Sequence, residues 1–328
     1  MNIWMTLLVL VVKALVLALS VTLVVAVFLL FMRKFLAYFA YRVGPTKVGP
    51  WGVLQPIADV VKMLFKEDII PEQADPIVYR LAPIIAFFCA LGVWVVIPWA
   101  PRGSWWASMA DPNAGVLVIL AIAAMGVYGI ALGGWASQNK YGLLGSMRAT
   151  AQMISYELAM AMSLLGVILM TGSVSMFDIV DAQRDMINLF PQFLGFLVFY
   201  IASLAEAGWT PFDLPESETE LVAGYHTDYG GMRFGLFFLT ELTHAVNSAV
   251  LTTTFFLGGY NPWFGLTMIP GFVWFLIKVC LLLFVLYWIK CTFPRFRYDR
   301  LMVFGWKVLL PVAALNLVGT AIYVALWA

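Results

Sequence analysis

Seven of the chain's eighteen carboxylates fall between Ala205 and Glu241: Glu206, Asp213, Glu216, Glu218, Glu220, Asp228 and Glu241. Arg233 is the only strong base among them, and both histidines, His226 and His244, lie in or beside the same stretch. Glu216 and Glu220 stand at i, i+4 spacing with Gly224 one turn on, while Glu218 faces elsewhere. Like charges this close raise one another's pKa, and partial burial pushes the same way. Such a cluster can share protons. The competing reading is a solvated acidic face that docks a basic partner. Pro211 and Pro215 flank Asp213 and favour irregular backbone near a membrane surface.

Other charges sit inside apolar runs. Glu157 lies in Ile154-Ser155-Tyr156-Glu157-Leu158, Glu206 near the end of one run, and Glu241 and Lys278 within two others. An ionisable group at membrane depth costs several kcal/mol unless it is paired or hydrated, which marks each as a functional candidate. Glu206 and Lys278 also suit helix-end groups that snorkel. With Tyr156, Tyr225 and His226, the carboxylates would suit proton relay through a wet interior. Cys89, Cys280 and Cys291 are scattered singly, with no CxxC pair and no Cys/His cluster. Zinc or iron–sulfur ligation by this chain alone is therefore not expected. No phosphate-cradling GxGxxG, GxSxG elbow or catalytic triad is recognisable, so no redox cofactor is expected on this chain alone.

The elements that must position these groups follow from composition. Of 328 residues, 63% are apolar and 11% charged, with a mean hydropathy of +0.92. Soluble domains carry about 25% charged residues, which excludes a soluble enzyme and a disordered regulator. A net charge of +1 leaves no basic surplus for nucleic acid. The lipid bilayer is the expected partner. Apolar stretches near 5–32, 78–99, 114–135, 150–172, 189–208, 233–257, 271–291 and 304–327 predict eight spans. Lipid demands internally paired backbone and no barrel-like alternation is visible, so the spans are helices. The first run is too long for a cleaved signal peptide and reads as a retained span. Odd-numbered loops hold most Lys and Arg, whereas the opposite loops hold little beyond Arg102 and Arg184, which places both termini away from the cytoplasm.

Within the first loop, residues 33–80, Val43-Gly44-Pro45 and Val48-Gly49-Pro50 punctuate turns. Trp51 to Phe65 then carries apolar residues at helical spacing with Gln55, Asp59, Lys62 and Lys66 on another face, an amphipathic helix along the interface. It would serve as a surface brace or as the wall of a site at the membrane boundary. The predicted fold is all-α: a polytopic membrane bundle of about eight helices plus this interfacial helix, in a single membrane domain over residues 1–328.

Several motifs together resemble one family. Arg42-Val43-Gly44-Pro45-Thr46-Lys47-Val48-Gly49-Pro50, Leu54-Gln55-Pro56-Ile57-Ala58-Asp59 and Lys66-Glu67-Asp68 look like the first cytoplasmic loop of the H-subunit family of respiratory complex I. Lys140-Tyr141-Gly142-Leu143-Leu144-Gly145-Ser146-Met147-Arg148-Ala149 and Ile154-Ser155-Tyr156-Glu157 extend the likeness. The most specific match is Thr210-Pro211-Phe212-Asp213-Leu214-Pro215-Glu216, running through Glu220-Leu221-Val222-Ala223-Gly224-Tyr225-His226. Pro294-Arg295-Phe296-Arg297-Tyr298-Asp299 and Gly305-Trp306 carry it towards the C-terminus, so it covers nearly the whole chain.

The resemblance implies a quinone-binding, coupling membrane subunit of a proton-translocating NADH:quinone oxidoreductase, inactive alone, with quinone as substrate. It would lie in a bacterial-type cytoplasmic (inner) or equivalent energy-transducing membrane. Implied partners are soluble quinone-site and iron–sulfur subunits, small membrane subunits and antiporter-like subunits. Arg33, Arg42, Ala58, Asp59, Trp209 and Phe212 would line the quinone cavity. Asp213, Glu216, Glu218, Glu220 and Asp228, in the acidic loop 205–232, would lead protons towards Glu206, Glu157 and Glu241. Two positions depart from the family pattern: Met32 stands where the family usually has Glu, and Trp209 where it usually has Arg. An acid and a base are missing together, which is less costly if they normally pair, and the cavity should be more apolar. Two other readings compete: the equivalent subunit of a membrane-bound hydrogenase or dehydrogenase, and a stand-alone cation or proton transporter. The latter often shows inverted repeats with broken helices, and no such repeat is found.

Overall fold

A computed structural model describes residues 3–327 except 105–106, 216–220, 264–265 and 267. All regular elements among the described residues are helical. α1 (Ile3–Phe39) has 37 residues, about 55 Å at 1.5 Å per residue. The hydrocarbon core is about 30 Å thick, so α1 overreaches it. Arg33 and Lys34 therefore ride on the helix, where the sequence suggests the start of a loop. α2 (Gln55–Phe65) is the expected interfacial helix. Before it, Gly52 has φ +74, and a Cβ there would collide with the Pro45 carbonyl oxygen, so only glycine fits this close turn.

α3 (Pro76–Gly92) starts on Asp75, whose carboxylate accepts from the Ile77 and Val78 amides. α4 (Gly115–Ala136) and α5 (Lys140–Thr171) follow. α5 begins ten residues before the expected span because Asn139 caps it at Tyr141 N. Gly172, at φ +66, ends it by donating to Ile168 O. α6 (Met176–Ala182) is short, and α7 (Phe193–Glu206) has 14 residues. α8 (Gly231–Phe256) and α9 (Gly271–Thr292) are full-length. α10 (Tyr298–Phe304) runs through a π turn at Gly305–Leu309 into α11 (Leu310–Trp327).

Among the described residues, seven helical segments are long and apolar enough to cross a membrane. The eighth expected span, 189–208, is only α7, about 21 Å by its residue count. It is packed on several sides, by α5, α8 and α11, with Phe199, Ala202 and Ala205 fully buried. Polar residues inside the bundle satisfy themselves locally. Thr252, Thr253 and Thr254 each donate to the carbonyl four residues back at 2.6–2.8 Å, as hydroxyls in apolar helices do. α5 packs against α4, α7 and α11, and α8 against α3, α7 and α9. The deepest acids lie where α5, α7 and α8 meet.

Candidate functional site

Two small cavities meet at Glu206 and His244. The one beside the acidic loop leaves about 30 Å³ for water centres and is lined by Gln152, Glu206, Tyr225, Thr240, Glu241 and His244. The deeper one leaves about 20 Å³ and is lined by Ser203, Glu206, His244, Asn247 and Ser248 among apolar neighbours. Glu157 lies close enough for its charge to interact with that of Glu206. The structure thus brings Glu157, Glu206 and Glu241 into one region although they come from three helices.

Gln152 of α5 holds this region in shape. Its Nε2 donates to Ala205 O at 2.7 Å and to Phe212 O at 2.8 Å, tying the end of α7 to the irregular run beyond it. In that run Trp209 N donates to Leu204 O and Phe212 N to Trp209 O, the non-helical path that the two prolines predict. Gly145 of α5 passes so near the loop that a Cβ on it would lie 2.7 Å from Gly224 Cα. That approach sets where Tyr225 stands.

At the expected membrane boundary Arg33 of α1 pairs with Asp59 of α2, whose other oxygen accepts from Gln55 Nε2 at 2.9 Å. Lys34 Nζ lies 5.9 Å from the Trp51 ring centroid. Ala58 is half-buried and Arg42 exposed; the Arg42 amide closes α1 on Ala37 O. Trp209 and Phe212, the two aromatic residues expected at the quinone cavity, are 1% and 4% exposed. Trp209 packs on Phe28 and Tyr287, and Phe212 on Tyr156 and Phe296. Aromatic area of this size is best buried in the packed wall.

The other acids are dispersed. Asp213 accepts from Arg295 Nη2 at 2.7 Å. Asp228 accepts from Asn139 Nδ2 at 3.2 Å and lines a surface groove with Glu72 and Lys140, apart from the two cavities. Beside it Tyr79 donates to Asp228 O at 2.7 Å and stacks on Tyr229 at 4.1 Å, with Arg233 paired to Asp68. Burial, helped by Tyr79, pushes the Tyr229 phenol above its ordinary range, so it acts as a neutral donor to Gly133 O. Glu216, Glu218 and Glu220 lie outside the described residues. Tyr156 donates to Leu301 O, a packing bond between α5 and α10. His226 sits edge-on to Tyr225 and Phe234. Lys278, 0% exposed, does not snorkel; it donates to three carbonyls in residues 257–261.

As site residues, Gln152, His244 and Asn247 escape a reading of the sequence. A neutral amide or lone histidine in an apolar run carries no compositional signal. The relevance of His244 and Asn247 comes from helix phase, since each follows at i+3, first from Glu241 and then from His244, on one face of α8.

These features define a multi-pass helical membrane protein with a polar junction inside its bundle. A family model described as NADH dehydrogenase matches residues 12–321. The H-1 subunit of NADH-quinone oxidoreductase from Symbiobacterium thermophilum is 94% identical over 328 residues, all of both chains. The H subunit of Brevibacillus brevis is 48% identical over 296 residues, 90% of this chain and 87% of its own. That of Rickettsia bellii is 51% identical over 286 residues, 85% and 83%. The chain belongs to the H-subunit family of NADH-quinone oxidoreductases, the complex I family that its motifs resemble.

Proposed function

We propose that the chain is the quinone-binding, coupling membrane subunit of a proton-translocating NADH-quinone oxidoreductase. It works with soluble quinone-site and iron–sulfur subunits on one side and with small and antiporter-like membrane subunits on the other. Both termini face away from the cytoplasm, in an energy-transducing inner membrane. It holds no redox centre of its own, and quinone is substrate. The Arg33–Asp59 pair, with Arg42 and Ala58, forms the polar rim of the quinone site, backed by Trp209 and Phe212. Asp213, Glu216, Glu218, Glu220 and Asp228 carry charge changes from that rim towards Glu206, Glu157 and Glu241.

The observation that carries this reading is the meeting of Glu206 and Glu241, from different helices, on one cavity inside the bundle. Paired or hydrated acids at depth mark proton relays. A Gln replacement keeps size and hydrogen bonding but cannot titrate. In the assembled complex, Glu157→Gln, Glu206→Gln and Glu241→Gln should each cut proton-coupled quinone reduction tenfold or more, while Glu157→Asp keeps part of it. Full coupled rates in all three Gln variants would leave the acids as packing groups and sink the proposal.

A further inference from the structure

Two buried acceptors beside Glu206 have nothing to bond among the described residues. Gln152, 1% exposed, spends its amide nitrogen on Ala205 O and Phe212 O, and its Oε1 has no partner. Asn247, 4% exposed, donates to Ala90 O at 2.9 Å, and its Oδ1 likewise has no partner. A buried carbonyl left unsatisfied costs about 1–3 kcal/mol, so natural cores supply it with a partner, often water. Each of these residues lines one of the two cavities, Gln152 the loop-side one and Asn247 the deeper one. About one water needs 10–15 Å³ of such volume and two to four polar neighbours. The cavities, at about 30 and 20 Å³, meet both conditions.

Glu206 and His244 are the polar side chains common to the two linings. A carboxylate presents oxygens to both sides. A neutral imidazole has one donor nitrogen and one acceptor nitrogen, on different edges of the ring. We propose that His244 is a proton-carrying link that joins a water site beside the acidic loop to a second, deeper water site. Water in the Gln152–Glu241 cavity, protonated by the Glu241 carboxyl group, gives that excess proton to the acceptor nitrogen of His244. The proton on the other ring nitrogen then passes to water in the Ser203–Asn247 cavity. The ring is left as the opposite tautomer and resets by a half-turn about Cβ–Cγ, which presents the acceptor nitrogen to the loop-side cavity again. No electron moves and no bond to carbon forms or breaks. The inference rests on the relay reading above and adds to it a non-carboxylate member and a direction, inward past Glu206.

The test uses the intact complex in proteoliposomes, reading quinone reduction and proton uptake together. His244→Gln keeps a hydrogen-bonding side chain but cannot take a proton and pass it on. His244→Phe fills the junction and expels water. Both should lower protons moved per quinone reduced by at least threefold, with assembly retained. If Gln behaves as wild type and Phe does not, the ring's proton chemistry is unnecessary and the proposal falls. It falls equally if both variants pump normally. Should the Phe variant fail to assemble, Ser248→Val narrows the deeper cavity with His244 intact; normal pumping there, together with normal pumping in His244→Gln, overturns the link. The parent reading fails on a different result: normal coupling in the three glutamate-to-glutamine variants. Impaired glutamates with unaffected His244 variants would remove only the histidine.

Discussion

The ammonium nitrogen of Lys290 lies 4.0 Å from the centroid of the Trp209 ring. The two residues are 81 positions apart in sequence, and Trp209 is otherwise enclosed by Phe28 at 6.2 Å and Tyr287 at 5.9 Å. A cation over an indole face is worth about 2 kcal/mol when the pair is desolvated. The family resemblance places an arginine where this chain has Trp209. Lys290 of α9 brings a positive charge to this place, and the tryptophan provides the surface on which it rests.

That arrangement predicts a conflict. Trp209→Arg would put a second cation under Lys290, inside an aromatic wall, and should destabilise the complex by about 3 kcal/mol, the scale for an uncompensated buried charge. Adding Lys290→Gln should recover a good part of the loss. Thermal melting of the purified complex, run as a double-mutant cycle, measures the coupling. Additive losses would mean that the two positions do not communicate.

The Arg33–Asp59 pair joins α1 to the interfacial helix, with Asp59 also held by Gln55. Its side chains are 36% and 17% exposed, so solvent screens the pair and its worth is about 1 kcal/mol or less. Arg33→Gln and Asp59→Asn should therefore assemble normally. If the pair forms the rim of the quinone site, each variant should raise the KM for quinone by about fivefold, equivalent to roughly 1 kcal/mol. The charge-reversed double variant, Arg33→Asp with Asp59→Arg, should restore part of the affinity. Steady-state kinetics with a soluble quinone would show it; unchanged KM in both single variants speaks against the rim assignment.

Gly145 offers a test of loop placement. A methyl group there would stand 2.7 Å from Gly224 Cα and 2.8 Å from Tyr225 N, both backbone atoms that cannot swing aside. Gly145→Ala should push the turn at Gly224–His226 off α5, at a cost of about 1–3 kcal/mol. Because Tyr225 lines the loop-side cavity, proton uptake should fall more than the melting temperature suggests. Normal uptake with a normal melting curve would show that the loop yields freely.

Composition and hydropathy made the helical bundle, the interfacial helix and the depth of Glu157 and Glu241 legible. Those properties depend on residue type along one segment. What stayed hidden depends on neighbours from elsewhere. Asp213 reads as one of a run of acids, yet Arg295, just beyond the end of α9, neutralises it. Asp228 reads as part of the same run, but Asn139 and Tyr79 draw it to the N-terminal ends of α5 and α3. α5 continues into a polar stretch because its end projects beyond lipid, where hydropathy no longer tracks helix length. The rotation of α8 that turns His244 towards α7 is set by packing, and no pattern along α8 alone reveals it.

Lys278 is the clearest case of a buried charge with a structural explanation. Its ammonium donates to Leu257 O at 2.8 Å, Gly259 O at 2.9 Å and Asn261 O at 2.6 Å, and stands 5.1 Å from the Trp263 ring. All three donors of a lysine are thereby used. The segment it clasps is also docked on α6, where Gly258 N donates to Gln183 Oε1 and Asn261 Nδ2 to Val180 O. The ammonium thus closes the turn after α8 against carbonyls that lipid could not satisfy. Lys278→Met keeps length and removes every donor. Three carbonyls would then lack their partner, at about 1–3 kcal/mol for each that stays buried, less whatever the turn recovers by relaxing. The expected outcome is a complex that melts well below the wild type yet, per assembled molecule, reduces quinone and takes up protons at rates within twofold of it. A relay role requires the opposite pattern, normal melting with coupled turnover abolished, and measuring both quantities on the same preparation separates the two.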